Sequence, residues 1–289
     1  MPIVKSNFKA PFRFRSGFIA TVYSGLIRRL KINQFRERII LRDDDFIDLD
    51  WSYSSAPSKS LIILFHGLEG HGQRPYITGA ALHFNEQNID AICVNFRCCS
   101  GELNKYYPTY HSGKTDDVED IIKHVISLNK YDSIFLKGIS LGGNILLKYL
   151  GDGSVVPSQV KAAMAVSVPC DLSGSAKALH TLKNLPYHIN FKWGLVSRLK
   201  LKQKQFPDAI TKAKIRTIKT LNDFDEVYTS RAHGFEDAQD YYKKCSSLQF
   251  LNAIKTPVLI LNALNDSFLS KACYPFKEAE MNPNIFLET

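Results

Sequence analysis

A chain of 289 residues that is 45% apolar can bury one large core, or one core with an inserted subdomain, which excludes a disordered or fibrous protein. The net charge of +9 is unevenly placed: residues 1–36 hold eight Lys or Arg and no acid, and residues 177–219 hold eleven against Asp208 alone. The remainder holds 18 basic and 27 acidic residues. Two basic zones on an acidic body fit a solvated face or an anionic membrane surface better than nucleic acid, because zinc-finger spacing and an aromatic-rich basic groove are both missing.

Residues 1–37 read as an N-terminal arm in which apolar Phe12, Phe14, Phe18, Ile19, Val22, Tyr23, Leu26 and Ile27 interleave with arginines. Phe18, Val22 and Leu26 have helical spacing, which predicts a helix packed on the main domain, with a helix lying on a membrane as the other reading. The longest uncharged run there, residues 16–27, falls short of the roughly 20 needed to span a bilayer. It also lacks signal-peptide architecture; an organelle presequence is the competing reading of an acid-free start. Six cysteines without paired spacing, two of them adjacent, point to a reducing compartment. The expected location is the cytoplasm, with possible peripheral contact at a membrane.

Residues 38–53 predict a β-hairpin around the acidic turn Asp43-Asp44-Asp45, and residues 52–58 a loop. The continuous apolar run 61–65 marks a strand buried on both faces. Helix 75–88, strand 90–95, helix 116–129 with Thr115 as N-cap, strand 133–137, a helix opened by Gly143-Asn144, and strand 161–168 then alternate. Such alternation implies right-handed crossovers and a mostly parallel central sheet with helices on both faces. After Pro169 the rhythm breaks. Residues 171–254 carry helix-like, basic and aromatic segments without a convincing strand, too long for a loop, and predict an inserted helical cap. Strands resume at 257–263 and 284–287. The expected organisation is arm 1–37, α/β core 38–170, cap 171–254 and core 255–289.

The chemistry centres on Gly138-Ile139-Ser140-Leu141-Gly142. Strand before and helix after make this turn a nucleophile elbow, with Ser140 pushed out of the sheet and glycines that let strand and helix approach. A serine hydroxyl needs a base to take its proton and donors for the anion it generates. The expected donors are the backbone amides of Leu141 and of Leu68, in the loop His66-Gly67-Leu68-Glu69-Gly70. His66, at a strand end ahead of the nucleophile, reads as a structural hydrogen-bonding residue. Asp266, in the loop after strand 257–263, is the expected orienting acid, against the reading of an Asp in a loop as a turn former. None of the eight histidines follows Asp266. His111, beside Ser112-Gly113, is the best internal substitute for the base.

His66-Gly67-Leu68-Glu69-Gly70, Asn95-Phe96-Arg97-Cys98-Cys99-Ser100-Gly101-Glu102, Tyr110-His111-Ser112-Gly113, Gly138-Ile139-Ser140-Leu141-Gly142-Gly143-Asn144 and Arg231-Ala232-His233-Gly234-Phe235 resemble, in order, the motifs of the YheT-like branch of the α/β-hydrolases. The resemblance covers nearly the whole chain from about Phe12. It implies an α/β-hydrolase fold, hydrolysis of carboxylic esters without a cofactor or metal, Ser140 as nucleophile and Asp266 as acid. In that family the histidine lies in a Gly-Gly-His loop directly beyond the strand at which this sequence stops. The expectation is therefore an impaired enzyme whose base lies past Thr289. The alternative is a catalytically inactive hydrolase-fold binding or scaffold protein. Cys98 stands where the family pattern has glycine, and a redox role for Cys98-Cys99 is a minor reading. Tyr187, Phe191, Trp193 and Phe206 suit either an apolar acyl pocket or the core of the cap.

Overall fold

The structure is a computed structural model that describes residues 2–289, except for the side chain of Leu26. Among the described residues nine strands form one sheet: β1 (Ile3–Val4), β2 (Phe35–Ile40), β3 (Phe46–Ser52), β4 (Ser60–Phe65), β5 (Asp90–Asn95), β6 (Ser133–Ile139), β7 (Val160–Val166), β8 (Val258–Leu261) and β9 (Ile285–Glu288). Their spatial order is β1-β9-β8-β7-β6-β4-β5-β3-β2. Only the β2–β3 and β3–β5 pairs are antiparallel. The central strands β4 and β5 are buried along almost their whole length, as their apolar runs 61–65 and 91–94 require when helices cover both faces.

The predicted hairpin is β2–β3. Its register sets Arg36 opposite Asp50 and Arg38 opposite Asp48, and both pairs close as ion pairs at 2.6 and 2.7 Å. The two-residue β1 was not predicted, because so short a stretch has no periodicity to read; it adds to β9 with Ile3 opposite Leu287.

Helices follow the strands: α1 (Gly17–Val22), α2 (Pro75–Asn85), α3 (Thr115–Ser127) and α4 (Leu141–Gly151). Thr115 is not the cap of α3 but its first residue; its hydroxyl donates instead to Asp152 at 2.9 Å, and Lys114 precedes the helix, paired with Asp116. Between β7 and β8 come α5 (Leu172–Leu179), α6 (Leu185–Gln205), α7 (Lys212–Arg216), α8 (Leu221–Phe224), α9 (Ser230–Ala232) and α10 (Ala238–Cys245), with no strand among them. Leu195, Leu199, Ile215, Ile218, Phe224 and Tyr228 give this insertion a small core of its own. Its last stretch behaves differently: residues 247–253 pack on α4, and Leu251 belongs to the main core. A final helix, α11 (Phe276–Met281), lies between β8 and β9.

The arm folds onto the body at several places: β1 joins β9, and Ile32 packs against the core beside α2. The Phe18 ring meets Tyr187 of α6 at 5.5 Å, and Asn265 after β8 donates to the Arg15 carbonyl at 3.2 Å. Of the predicted helical stripe, Phe18 is half exposed, Val22 is partly buried, and the side chain of Leu26 lies outside the described residues. No helix among the described residues is long and apolar enough to cross a membrane.

Candidate active site

Strand β6 delivers Ser140 to the head of α4, and the backbone there is forced into an uncommon shape. Ser140 has φ 53° and ψ −121°, a left-handed conformation that costs a non-glycine residue on the order of 1–3 kcal/mol. Three contacts enforce it. The Ser140 amide donates to Val166 at the end of β7 (2.8 Å). A Cβ on Gly142 would lie 2.6 Å from the carbonyl oxygens of Phe65 and His66, and one on Gly138 would collide with the Gly142 carbonyl. The glycines are needed because β4, β6 and α4 touch through their backbones.

The loop after β4 lies directly over the serine. A Cβ on Gly67 would stand 3.1 Å from Ser140 Cβ and 3.7 Å from its Oγ. Next to Gly67 is Leu68, whose amide has no acceptor among the described residues; the same holds for Leu141, first residue of α4. One free amide thus follows Ser140 at the positive end of an eleven-residue helix, and the other follows Gly67, which lies against the serine. Leu68 and Leu141, with Gly67 and Ser140, line a cavity of about 850 Å³.

His66 is wholly buried, and both ring nitrogens are engaged. Nδ1 donates to the Gly67 carbonyl at 2.7 Å, and Nε2 accepts from the Phe96 amide at 3.2 Å. Burial pushes its pKa down to about 3, so it is a neutral strut holding the loop, as its place in the sequence suggested. His111 also lines the cavity, but its ring lies 4.3 Å from that of His233, and its Nδ1 accepts from Gly113 at 3.1 Å. Burial and the neighbouring His233 hold its pKa well below the ordinary value. Among the described residues no histidine hydrogen-bonds Ser140 or Asp266.

Asp266 follows β8 in a turn, where its Oδ1 accepts from the Phe268 amide at 2.9 Å. Its other oxygen accepts the hydroxyl of Ser167, which itself lines the cavity. Ser167, just past β7, has φ 54°. Nothing in the sequence marked it, since an Ser-Val-Pro stretch after a strand carries no motif.

Two further elements were invisible in sequence. Arg198 of α6 donates to Glu69 at 2.6 and 3.3 Å, while Tyr110 holds the Glu69 amide at 3.0 Å. Phe8, Phe14 and Tyr23 bring the arm into the cavity wall, opposite Tyr187, Phe191 and Leu195 of α6. Of the four insertion aromatics, Tyr187 and Phe191 line the cavity, Phe206 packs on Tyr107, and Trp193 is 71% exposed. The six cysteines are all buried thiols. Cys98 has φ 62°, which is the physical reason a glycine suits that position.

A mostly parallel sheet carrying a strained serine at a strand-to-helix turn, beneath a glycine loop from the neighbouring strand, is the architecture of an α/β-hydrolase. The family profile described as serine aminopeptidase, S33, matches residues 56–273. YheT of Escherichia coli (strain K12) is 32% identical over 272 residues, covering 92% of this chain and 79% of that protein. The Mus musculus protein named phospholipase ABHD3 is 30% identical over 265 residues, covering 88% of this chain and 64% of its own length. A solved esterase of Pyrococcus furiosus superposes with a TM-score of 0.60 at 14% identity, covering 89% of this chain and 80% of that one, which speaks for the fold alone. The chain belongs to the YheT-like branch of the α/β-hydrolases.

Proposed function

We propose that this protein is a serine hydrolase of carboxylic esters in which Ser140 is the nucleophile, the Leu68 and Leu141 amides form the oxyanion hole, and Asp266 orients the base. The observation that carries the reading is the left-handed Ser140 at the head of α4, under Gly67 and facing the cavity. Relatives named phospholipase and monoacylglycerol lipase support an ester substrate. The aromatic and aliphatic wall favours one with an apolar acyl chain.

Attack of Ser140 Oγ on the ester carbonyl forms a tetrahedral anion between two preorganised amides. Collapse expels the alcohol and leaves an acyl-serine, which water hydrolyses to the acid. Both half-reactions need a proton acceptor. Histidine serves in this reading, and none of the eight hydrogen-bonds Ser140 or Asp266 among the described residues. An enzyme of this kind deprived of its base retains residual catalysis only.

A second reading, a hydrolase-fold binding protein without turnover, is favoured by one contact: the Asp266 carboxylate is already occupied by the Ser167 hydroxyl. The tests are labelling and extension. A fluorophosphonate should label Ser140, labelling should vanish in Ser140→Ala, and the chain extended by its natural downstream sequence should label far faster. Equal labelling of Ser140→Ala would refute the nucleophile. An extended chain that is no faster, and turns over no ester, would leave the binding reading standing.

A further inference from the structure

Helix α6 has two apolar faces. Tyr187, Phe191 and Leu195 line the cavity. Leu185, Ile189 and Trp193, at four-residue spacing on the other side, are 44%, 51% and 71% exposed. The arm, which touches Tyr187 of α6 through Phe18, adds exposed Phe12 (84%), Phe18 and Ile19. Soluble surfaces rarely gather so many large apolar side chains in one place without a partner.

Every Asp, Glu, Lys or Arg position in residues 1–36 and 177–207, the two segments that carry these side chains, is basic. Lys9, Arg13 and Arg15 on the arm and Lys183 before α6 are exposed, and none makes an ion pair among the described residues. The two basic zones are separated by about half the sequence. The fold brings apolar residues of both segments, Phe8, Phe14 and Tyr23 with Tyr187, Phe191 and Leu195, to the wall of one cavity.

We propose that the arm and α6 form a single docking surface for an anionic lipid bilayer, with Phe12, Ile189 and Trp193 entering the interface and the arginines and lysines meeting the head groups. Charge complementarity selects this occupant. A second copy would set two positive faces together, and a nucleic acid would leave the aliphatic side chains exposed to water. This docking does not rest on the proposed function.

Trp193 supplies a direct readout, because the only other tryptophan, Trp51, is buried and stacked between Tyr53 and Tyr131. Vesicles of phosphatidylcholine with about 30% phosphatidylserine should shift Trp193 emission to the blue and co-sediment the protein, whereas pure phosphatidylcholine should do neither well. Arg13→Glu and Arg15→Glu should each weaken partition by roughly fivefold or more. Phe12→Glu/Ile189→Glu should abolish the emission shift at unchanged thermal unfolding. Ser140→Ala should bind vesicles like the parent chain, which separates failure of docking from failure of the chemistry. The proposal is overturned by unchanged Trp193 emission on anionic vesicles, by a shift that survives both sets of substitutions, or by retention on duplex DNA without vesicle binding.

Discussion

Arg198 of α6 clamps Glu69 in the loop over Ser140, Nη1 to Oε1 at 2.6 Å, across 129 positions of sequence. Both side chains are largely buried, at 18% and 11% exposure. Glu69 adjoins Leu68, so the clamp ties the helical insertion to one of the two amides that face the serine. Removing one partner strands a charge at low dielectric, a loss of about 2–4 kcal/mol. Arg198→Met or Glu69→Gln should each lower stability by that order and slow fluorophosphonate labelling of Ser140. The double variant should be less damaged than the sum of the singles, measured as a urea-denaturation double-mutant cycle.

Ser140 itself is a reservoir of strain. Glycine adopts φ 53° at little cost, so Ser140→Gly should gain about 1 kcal/mol in stability and lose all labelling. Ser140→Ala keeps the strain and should show no such gain. Comparing the two by thermal unfolding separates backbone strain from loss of the hydroxyl.

The same physics applies at Cys98, where φ is 62° and the thiol is buried. Cys98→Gly should raise stability by up to about 1 kcal/mol, because the left-handed residue loses its Cβ. The opposing loss is the Sγ acceptor of the Asn104 amide at 3.4 Å, a weak bond. A loss above about 1 kcal/mol in chemical denaturation would show that the thiol packing outweighs the strain.

Acid sensitivity should come in part from buried neutral histidines. His66 titrates near 3 and His233 near 4 in the folded chain, both lowered chiefly by burial, against 6.5 when exposed. Between pH 6.5 and those values the unfolded chain binds protons that the folded chain refuses. Stability therefore falls as pH falls, by as much as about 1.4 kcal/mol per pH unit per group. His66→Gln should flatten the pH dependence between 6 and 4 in equilibrium unfolding, though it lowers stability at pH 7 by disturbing the Gly67 and Phe96 contacts.

Ser167→Ala tests whether the Asp266 carboxylate is free to orient a base. In the extended chain it should leave labelling of Ser140 intact or faster, since the Ser167 hydroxyl that occupies Oδ2 is gone. A loss of labelling would assign Ser167 a positioning role of its own.

Local pattern alone determined the alternating α/β body, because apolar runs such as residues 61–65 and the helical periods between them are short-range consequences of which faces are buried. It also determined the elbow: Gly138 and Gly142 are glycines because backbones touch there, and that requirement is written in the residues themselves. The helix start was misplaced by one residue at Thr115, whose hydroxyl found Asp152, 37 positions away, a better partner than its own helix end. Strand β1, the Arg198–Glu69 clamp, the Ser167–Asp266 bond and the meeting of arm and α6 at one cavity were decided by tertiary structure alone. Each joins residues tens to hundreds of positions apart, and such contacts leave no period in a sequence, because distance along the chain carries no information about distance in space.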